Sequence, residues 1–493
     1  MSNTVLSSLN MELHPRSQVA YKGVQYALAH QGNHNYLVVA APSGSPQLAA
    51  FEGEHIEAGD QTLVVAPPSP HNAAVLRQQL PWLNPSLLGL RTSAGMGDRI
   101  GLATPGHVRA VRATGSQVAP IFPQQSIREM FRTARTAQQV LDDALWGIFQ
   151  EGWQDGFGAD ADHLKTTADI DTCLAAGFTF FTFDPGEHVD NRAESASISE
   201  LNELAGLLPS EVSLRASGLL NRTFSFEGLS IHFDEHTLLK AAVKYGRAIA
   251  HVATLYQHLK HSAASRPFEL EVSVDETDQP TTHAEHVYIA TLLKRLGVDW
   301  VSLAPRYIGR FEKGVDYIGD VAAFEADIAG HAAIARQLGP YKLSLHSGSD
   351  KFSIYAAAMR QTRGLVHLKT AGTSYLEALR TVAELDPAFF LDIYAFSREH
   401  YLTDRASYHV SGELTRAPKP EEVQSLPSLL DQFDARQIFH ICFGSVLTYQ
   451  LPNGQRPFFD HLMDLLSTNP EAYAANLERH FIHHLKYFST TVS

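Results

Sequence analysis

The ionisable residues of this sequence gather in short clusters that end apolar runs. Asp162 and His163 stand side by side in DADHLKT (160–166). Adjacent residues at a strand end point to different sides, so His163 could bind a metal while Asp162 faces a substrate as a proton-transfer group. The alternative is a helix-capping aspartate beside a surface histidine. His346 in LSLHSGSDKF (343–352) precedes a Ser-Gly-Ser loop whose amides and hydroxyls, Ser347 included, suit an anion. Ser347 and Ser349 would otherwise cap a helix. ELEVSVDETD (269–278) offers Glu271, Asp275 and Glu276, and acids packed near one another or near a metal shift in pKa as acid–base catalysis requires. One of the three also suits the N-cap of a helix starting near Thr281. Lys369 in VHLKT (366–370) could form a Schiff base, hold a carboxylate or pair with an acid; carboxylate binding is the expectation. Arg306 and Arg310 in APRYIGRFEKG (304–314) read as a clamp for an acid group, with Glu312 in the same loop within reach of a metal. GMGDRIGLATPGH (95–107) lacks the lysine–serine ending of a P-loop; it is either a substrate lid carrying Asp98 and Arg99 or a glycine turn.

These clusters need a scaffold that brings strand ends together. Eight short apolar runs end in such residues: 160–166, 176–188, 268–278, 298–307, 341–352, 364–374, 406–412 and 435–445. Helical patterns separate them, with a capping box at Ser197–Glu200 and an apolar stripe over Asp234–Leu259. The strand-end markers His163, Asp184, Glu276, Arg306, His346, Lys369, His409 and His440 lie 21 to 40 residues apart, save a step of 92 between Asp184 and Glu276. The count and spacing predict an α/β fold, a (β/α)8 TIM-like barrel over 126–493, with a helical insertion at about 189–265 after the second strand. Residues 1–125, where YLVVAA (36–41) and TLVVAPP (62–68) alternate with Gly, Pro and Asn, predict a separate N-terminal mixed, β-rich region. A doubly wound sheet is the rival fold, weakened by the lack of a GxGxxG after a strand.

Composition narrows the function. Of 493 residues, 44% are apolar and 19% charged, an ordinary globular balance. With 39 basic against 53 acidic residues the net charge is −14, which disfavours nucleic acid and anionic membrane surfaces as partners. Two cysteines make no disulfide scaffold or CxxC zinc pair. No run is long enough to span a bilayer, and MSNTVLSSLNMELHPR does not read as a signal peptide, so the expected compartment is the cytoplasm. A small-molecule substrate is the expected partner, and a homo-oligomer is allowed.

Taken in order, GMGDRIGLATPGH, ADHLKT, AGFTFFTFDPG, SVDETDQPT, SLAPRYIGRFEKGVDYIGD, KLSLHSGSDKFS, GLVHLKTAGTSYLEALR and FGSVL resemble the bacterial tagaturonate/fructuronate epimerase family, from about residue 90 to the C-terminus. The resemblance implies hexuronate catabolism, interconversion of D-tagaturonate and D-fructuronate, and a divalent metal (Mn, Co, Ni or Zn). Relatives acting on fructose and tagatose leave a ketohexose epimerase as the alternative. Carried over residue by residue, it implies a proton acceptor at Asp162, a proton donor at Glu276 and metal ligands at His163 and His346. Glu312 is the expected third ligand, with His367 behind it. Arg306, Lys369 and Ser347 are the expected substrate-binding residues. The two uronates differ one carbon beyond the ketone's neighbour, where a proton is not activated by the carbonyl, so inversion there calls for retro-aldol cleavage and re-addition. The Asp-His pair is similar in its logic to metal-dependent aldolases. A class II-like aldolase that releases its products is therefore one rival, and a sugar-acid-binding regulator on a barrel is another.

Overall fold

Polar and apolar residues alternate along the short strands of this chain in a way that decides which side of the sheet holds the chemistry. The computed structural model describes residues 6, 8–115, 117–423 and 425–489. Eight parallel strands close into a barrel: β1 (Ser93–Gly95), β2 (Ala119–Ser126), β3 (Gly158–Leu164), β4 (Phe180–Phe183), β5 (Glu269–Val274), β6 (Ser302–Pro305), β7 (Lys342–Leu345) and β8 (Val366–Lys369). Each pairs with its sequence neighbour, and His367 of β8 lies beside Ser93 of β1 to complete the ring. Outward-facing Phe181, Phe183, Leu270, Val272, Leu303, Leu343, Leu345, Val366 and Leu368 are buried in the main core. Burying each such side chain contributes roughly 1.5–3 kcal/mol. The inward-facing register partners are polar: Thr182 beside Glu271, Glu271 beside Ser302, Ser302 beside Lys342, Ser344 beside His367. The apolar core thus lies between sheet and helices, and the barrel's interior is given over to ionisable groups.

Six of the eight expected strands are barrel strands. The other two are not. ARQIFHICFGS forms the helix Phe433–Ile441 and the start of Phe443–Thr448. Its apolar residues Ala435, Ile438, Phe439 and Cys442 fall at helical spacing, and a short apolar run does not distinguish helix from strand. Residues 406–412 run from the end of a one-turn helix, Arg405–Ser407, into an irregular stretch, and 407–411 line the barrel mouth. The ring is completed instead by β1 and β2, so the expected division at 125/126 runs through the barrel. The insertion stands where the 92-residue step placed it, but after the fourth strand. It carries the hairpin Thr223–Phe226/Leu229–His232 and the long helix Glu235–Ala263.

Before the barrel, antiparallel strands Val24–Gln31, His34–Pro42 and Gln61–Ala66 form the centre of a six-stranded sheet, with Glu54–Ala58 at one edge. One face (Leu28, Leu37, Val39, Val64) joins the main core, and the other (Ala29, Val38, Ala40, Leu63) makes a smaller one. This confirms the β-rich N-terminal region. Among the described residues, no helix is long and apolar enough to cross a membrane.

Candidate active site

The C-terminal ends of β3, β5, β7 and β8 converge on one cluster. In β3 the pairing with β4 slips between Phe181 and Phe183, so that Asp162 and His163 together stand against one residue of the neighbour. His163 adopts φ 54°. Bulges of this kind re-aim side chains next to active sites. Here the bulge brings the imidazole back beside its neighbour, with His163 Nδ1 2.8 Å from Asp162 Oδ1. The expectation that the two residues point apart is corrected by this extra residue.

His346, at the end of β7, is held by two acids from β5 and its end. Its Nε2 lies 2.6 Å from Glu271 Oε1 and its Nδ1 3.1 Å from Asp275 Oδ1. His163 Nε2 faces the same Asp275 oxygen at 3.9 Å and Glu276 Oε1 at 3.8 Å. One nitrogen of each histidine and one oxygen of Asp275 therefore fall within 4.8 Å of one another. The opposite ring nitrogens rest on Asp162 and Glu271, the carboxylate–histidine pairing that fixes the tautomer of a metal ligand. Two nitrogens and an oxygen suit Mn, Co, Ni or Zn. Burial opposes a charge on either imidazole, but the Asp162 carboxylate lifts His163 to about 10 and Asp275 lifts His346 to about 9.

Lys369 stands below this cluster. Its Nζ meets Asp160 at 2.9 Å, Asp162 at 2.6 Å, Glu271 at 2.9 Å and the Thr182 hydroxyl at 2.6 Å. Burial works against its charge, and the three carboxylates hold it well above the usual lysine range. Asp162, which burial alone would raise, is pulled well below the carboxylate range by His163 and Lys369. Both of its described bonds fall on Oδ1. Lys369 is saturated by internal acids, so the structure does not place it as a carboxylate binder.

Above the cluster opens a cavity of about 400 Å³ lined by Asp275, Glu276, His346, Ser347 and four cations: Arg128, Arg306, Arg310 and Lys313. Arg128 is tied to Glu276 at 3.1 Å and Arg310 lies 3.6 Å from Glu312. Among the described residues, nothing forms a hydrogen bond or ion pair with the side chains of Arg306 or Lys313. Burial, then the neighbouring Arg128, lowers the Lys313 amine below its ordinary value.

The remaining expectations sort by position. Glu312 lines the cavity, but its Oε2 accepts from the Ser411 amide and hydroxyl at 2.8 Å and from Gln437 at 3.0 Å. It stands outside the ligand cluster, and Asp275 takes its place. His367 lies deeper, bonded to the Ser93 hydroxyl at 2.9 Å, with burial holding it at about 3. His440 sits on a helix and exposed His409 on the mouth loop. Asp98 caps its own turn by accepting from the amides of Ile100, Gly101 and Ala103. Arg99 is buried against Glu129 and over the Phe443 ring, so the glycine-rich segment is a buried turn. Sequence reasoning passed over Asp275 as a member of the ligand-spaced cluster and Lys313 altogether. The signal for Asp275 was period two: Glu269, Glu271, Ser273 and Asp275 share the inward face of β5 and its extension.

A parallel barrel with an acid-lined, histidine-bearing mouth, and two cations above it without partners among the described residues, suits an enzyme of small polar substrates, and known proteins narrow the class. A sequence model described as tagaturonate epimerase matches residues 14–488. The tagaturonate/fructuronate epimerase of Thermotoga maritima is 41% identical over 476 residues, 96% of each chain. The fructuronate-tagaturonate epimerase of Cohnella laeviribosi, in its native crystal structure, superposes with a TM-score of 0.92 at 38% identity over 98% of both chains. Its one-glycerol complex gives the same values. The chain belongs to the tagaturonate epimerase family, and is an epimerase of carbohydrates and their derivatives.

Proposed function

We propose that this enzyme interconverts D-tagaturonate and D-fructuronate by retro-aldol cleavage and re-addition, with a divalent cation held by His163, His346 and Asp275. The observation that carries the reading is the meeting, in one cavity, of this cluster with two cations, Arg306 and Lys313, whose side chains have no partner among the described residues. Such an ion would supply Lewis-acid stabilisation of the negative charge that develops at the ketone oxygen. The protein's groups do the rest. Arg306 and Lys313 bind the carboxylate and fix the direction of the sugar acid, with Ser347 at the rim. Asp162, through the oxygen left free by His163 and Lys369, takes the hydroxyl proton from the carbon that inverts. The bond from that carbon to the ketone's neighbour breaks, leaving an aldehyde on one fragment and the electron pair on the enediolate of the other. The aldehyde turns over, the same bond reforms on its other face, and the proton taken up by Asp162 passes to Glu276, which delivers it to the new alkoxide.

Incubating metal-loaded enzyme separately with D-fructuronate and D-fructose tests the substrate. Conversion of the uronate is expected, and preference for the neutral sugar would replace the uronate reading with the ketohexose one. In deuterated solvent the inverted carbon should remain free of deuterium; its labelling would mean direct deprotonation. Accumulation of free three-carbon fragments would point to an aldolase.

A further inference from the structure

We propose that His283, Asp327 and His331 form a second cation site, for an ion of the Zn²⁺, Co²⁺ or Ni²⁺ class, in the seam between two helices on the outside of the barrel. It shares no residue with the cluster at the mouth and does not depend on the reaction assigned there. His283 opens the helix His283–Arg295, and Asp327 and His331 lie one turn apart on Val321–Leu338. The Nε2 atoms of both histidines lie 3.6 Å from the same oxygen, Asp327 Oδ1, and the three ligand atoms fall within 4.8 Å of one another. Bonds of 2.0–2.1 Å in a tetrahedral site put neighbouring ligands about 3.3 Å apart, so closure needs only small movements.

Three observations point to an ion rather than to chance packing. First, His331 is fully buried and, among the described residues, its Nε2 makes no hydrogen bond of good geometry, although the ring approaches the Thr281 backbone as a hydrogen-bond partner. Its other nitrogen lies 2.9 Å from His286 Nδ1, and His286 Nε2 lies 2.7 Å from the Tyr341 hydroxyl. With protons running from His331 Nδ1 to His286 and on to Tyr341, the Nε2 lone pair is left facing Asp327. This is the outer support that metal-bound histidines receive. Second, Asp327 pairs with no lysine or arginine among the described residues, and its ion-pair contacts are with the two histidines. Third, the helix gives up a side chain to seat His283. A Cβ on Gly330 would come within 2.4 Å of the His283 ring, and glycine inside a helix costs about 0.5–1 kcal/mol relative to alanine. His283 is the adjustable ligand, since its Nε2 now meets the Asp327 carbonyl at 2.9 Å and would exchange that bond for the ion. Asp327 Oδ2 also accepts from the Ile308 amide at 3.2 Å, which ties the site to the loop carrying Arg306 and Lys313.

The test uses the full chain with the mouth cluster disabled, as His163→Ala/His346→Ala, loaded with Zn²⁺ and dialysed. Elemental analysis should find one ion per chain, and the thermal midpoint should rise on loading. Adding His283→Gln, a partly exposed change at a helix start, or Asp327→Asn should remove both the ion and the shift while circular dichroism stays unchanged. A double variant that retains no zinc overturns the proposal. So does one whose zinc survives His283→Gln and Asp327→Asn together, since the ion would then sit elsewhere.

Discussion

Two clusters of the same residue types stand near β7, one before and one behind the loop that follows it. At the mouth, Asp275 lies between His163 and His346. Behind the loop, Asp350 lies 3.7 Å from His480 Nε2 and 3.5 Å from His484 Nε2, the latter two on the helix Pro470–Leu485. Both sets satisfy the distances expected of ligands. Their partners differ. The mouth histidines lean on carboxylates that lift them toward the charged form, and they open onto a cavity. The rear aspartate is already paired with Arg436 at 2.9 Å, and its own amide donates to His484 Nε2 at 2.9 Å. Burial and the surrounding cations push His480 to about 4, and burial with its neighbour His480 pushes His484 to about 3. One constellation demands positive charge and the other is neutralised by the protein itself. Residue type and spacing nominate a site; the charge of the next shell decides it.

The largest effect that would break this contrast is loss of the mouth ligands. His163→Ala, His346→Ala and Asp275→Asn should each remove one bound metal ion per chain and reduce epimerisation to background, read by elemental analysis and product assay. His480→Ala should leave both within about twofold, because losing a structural contact moves stability rather than chemistry. Equal losses at the two clusters would defeat the distinction.

Proton transfer comes next. Glu276→Gln should lower turnover by roughly 10²–10⁴-fold with metal content unchanged. Asp162→Asn should lower turnover and also weaken metal binding by about 10–100-fold, since it orients His163. A Glu276→Gln enzyme that loses its metal would make Glu276 a ligand.

Lys369→Met leaves Asp160, Asp162 and Glu271 buried without their cation. The expected destabilisation is about 3–5 kcal/mol, visible as a lowered midpoint in urea. A variant of normal stability with only a raised KM for uronates would return Lys369 to substrate binding.

The smallest effect concerns pH. His480 and His484, near 4 and 3 in the folded chain, take up protons more readily once unfolded, near 6.5. Their contribution to stability is therefore complete above about pH 6.5 and falls as the solution is acidified toward 4. His480→Gln should flatten the decline of the thermal midpoint over that window. An unchanged slope would assign the acid sensitivity to other buried histidines.

Much of this molecule was legible before folding because polar residues recur at period two on otherwise apolar strands. DADH, ELEVSV, KLSLH and VHLK each announce an inward row, and these four account for four of the six expected strands that the barrel contains. β1 and β2 escaped because SAG is three residues long and APIFPQQS carries two prolines, neither resembling a strand of a buried sheet. The place of Asp275 in the mouth cluster escaped for another reason. Glu312 and Asp275 are equally acidic on paper, and only the closed ring shows that one faces His346 while the other is consumed by Ser411 and Gln437. The bulge at His163 is likewise invisible in sequence, because it is a mismatch of register between two strands.

The seam between β1 and β8 fixes an order of events for the growing chain. The hydroxyl of Ser93 meets His367, 274 residues further on. Bringing such distant segments together costs on the order of 5 kcal/mol in loop entropy, recovered only when neighbouring strands are already in place. Lys369, which neutralises the acids of β3 and β5, arrives with the last strand of the ring. On the ribosome, Asp160, Asp162 and Glu271 therefore emerge well before their counter-charge does. They stay hydrated until β8 is made, and the barrel's interior is assembled last rather than first.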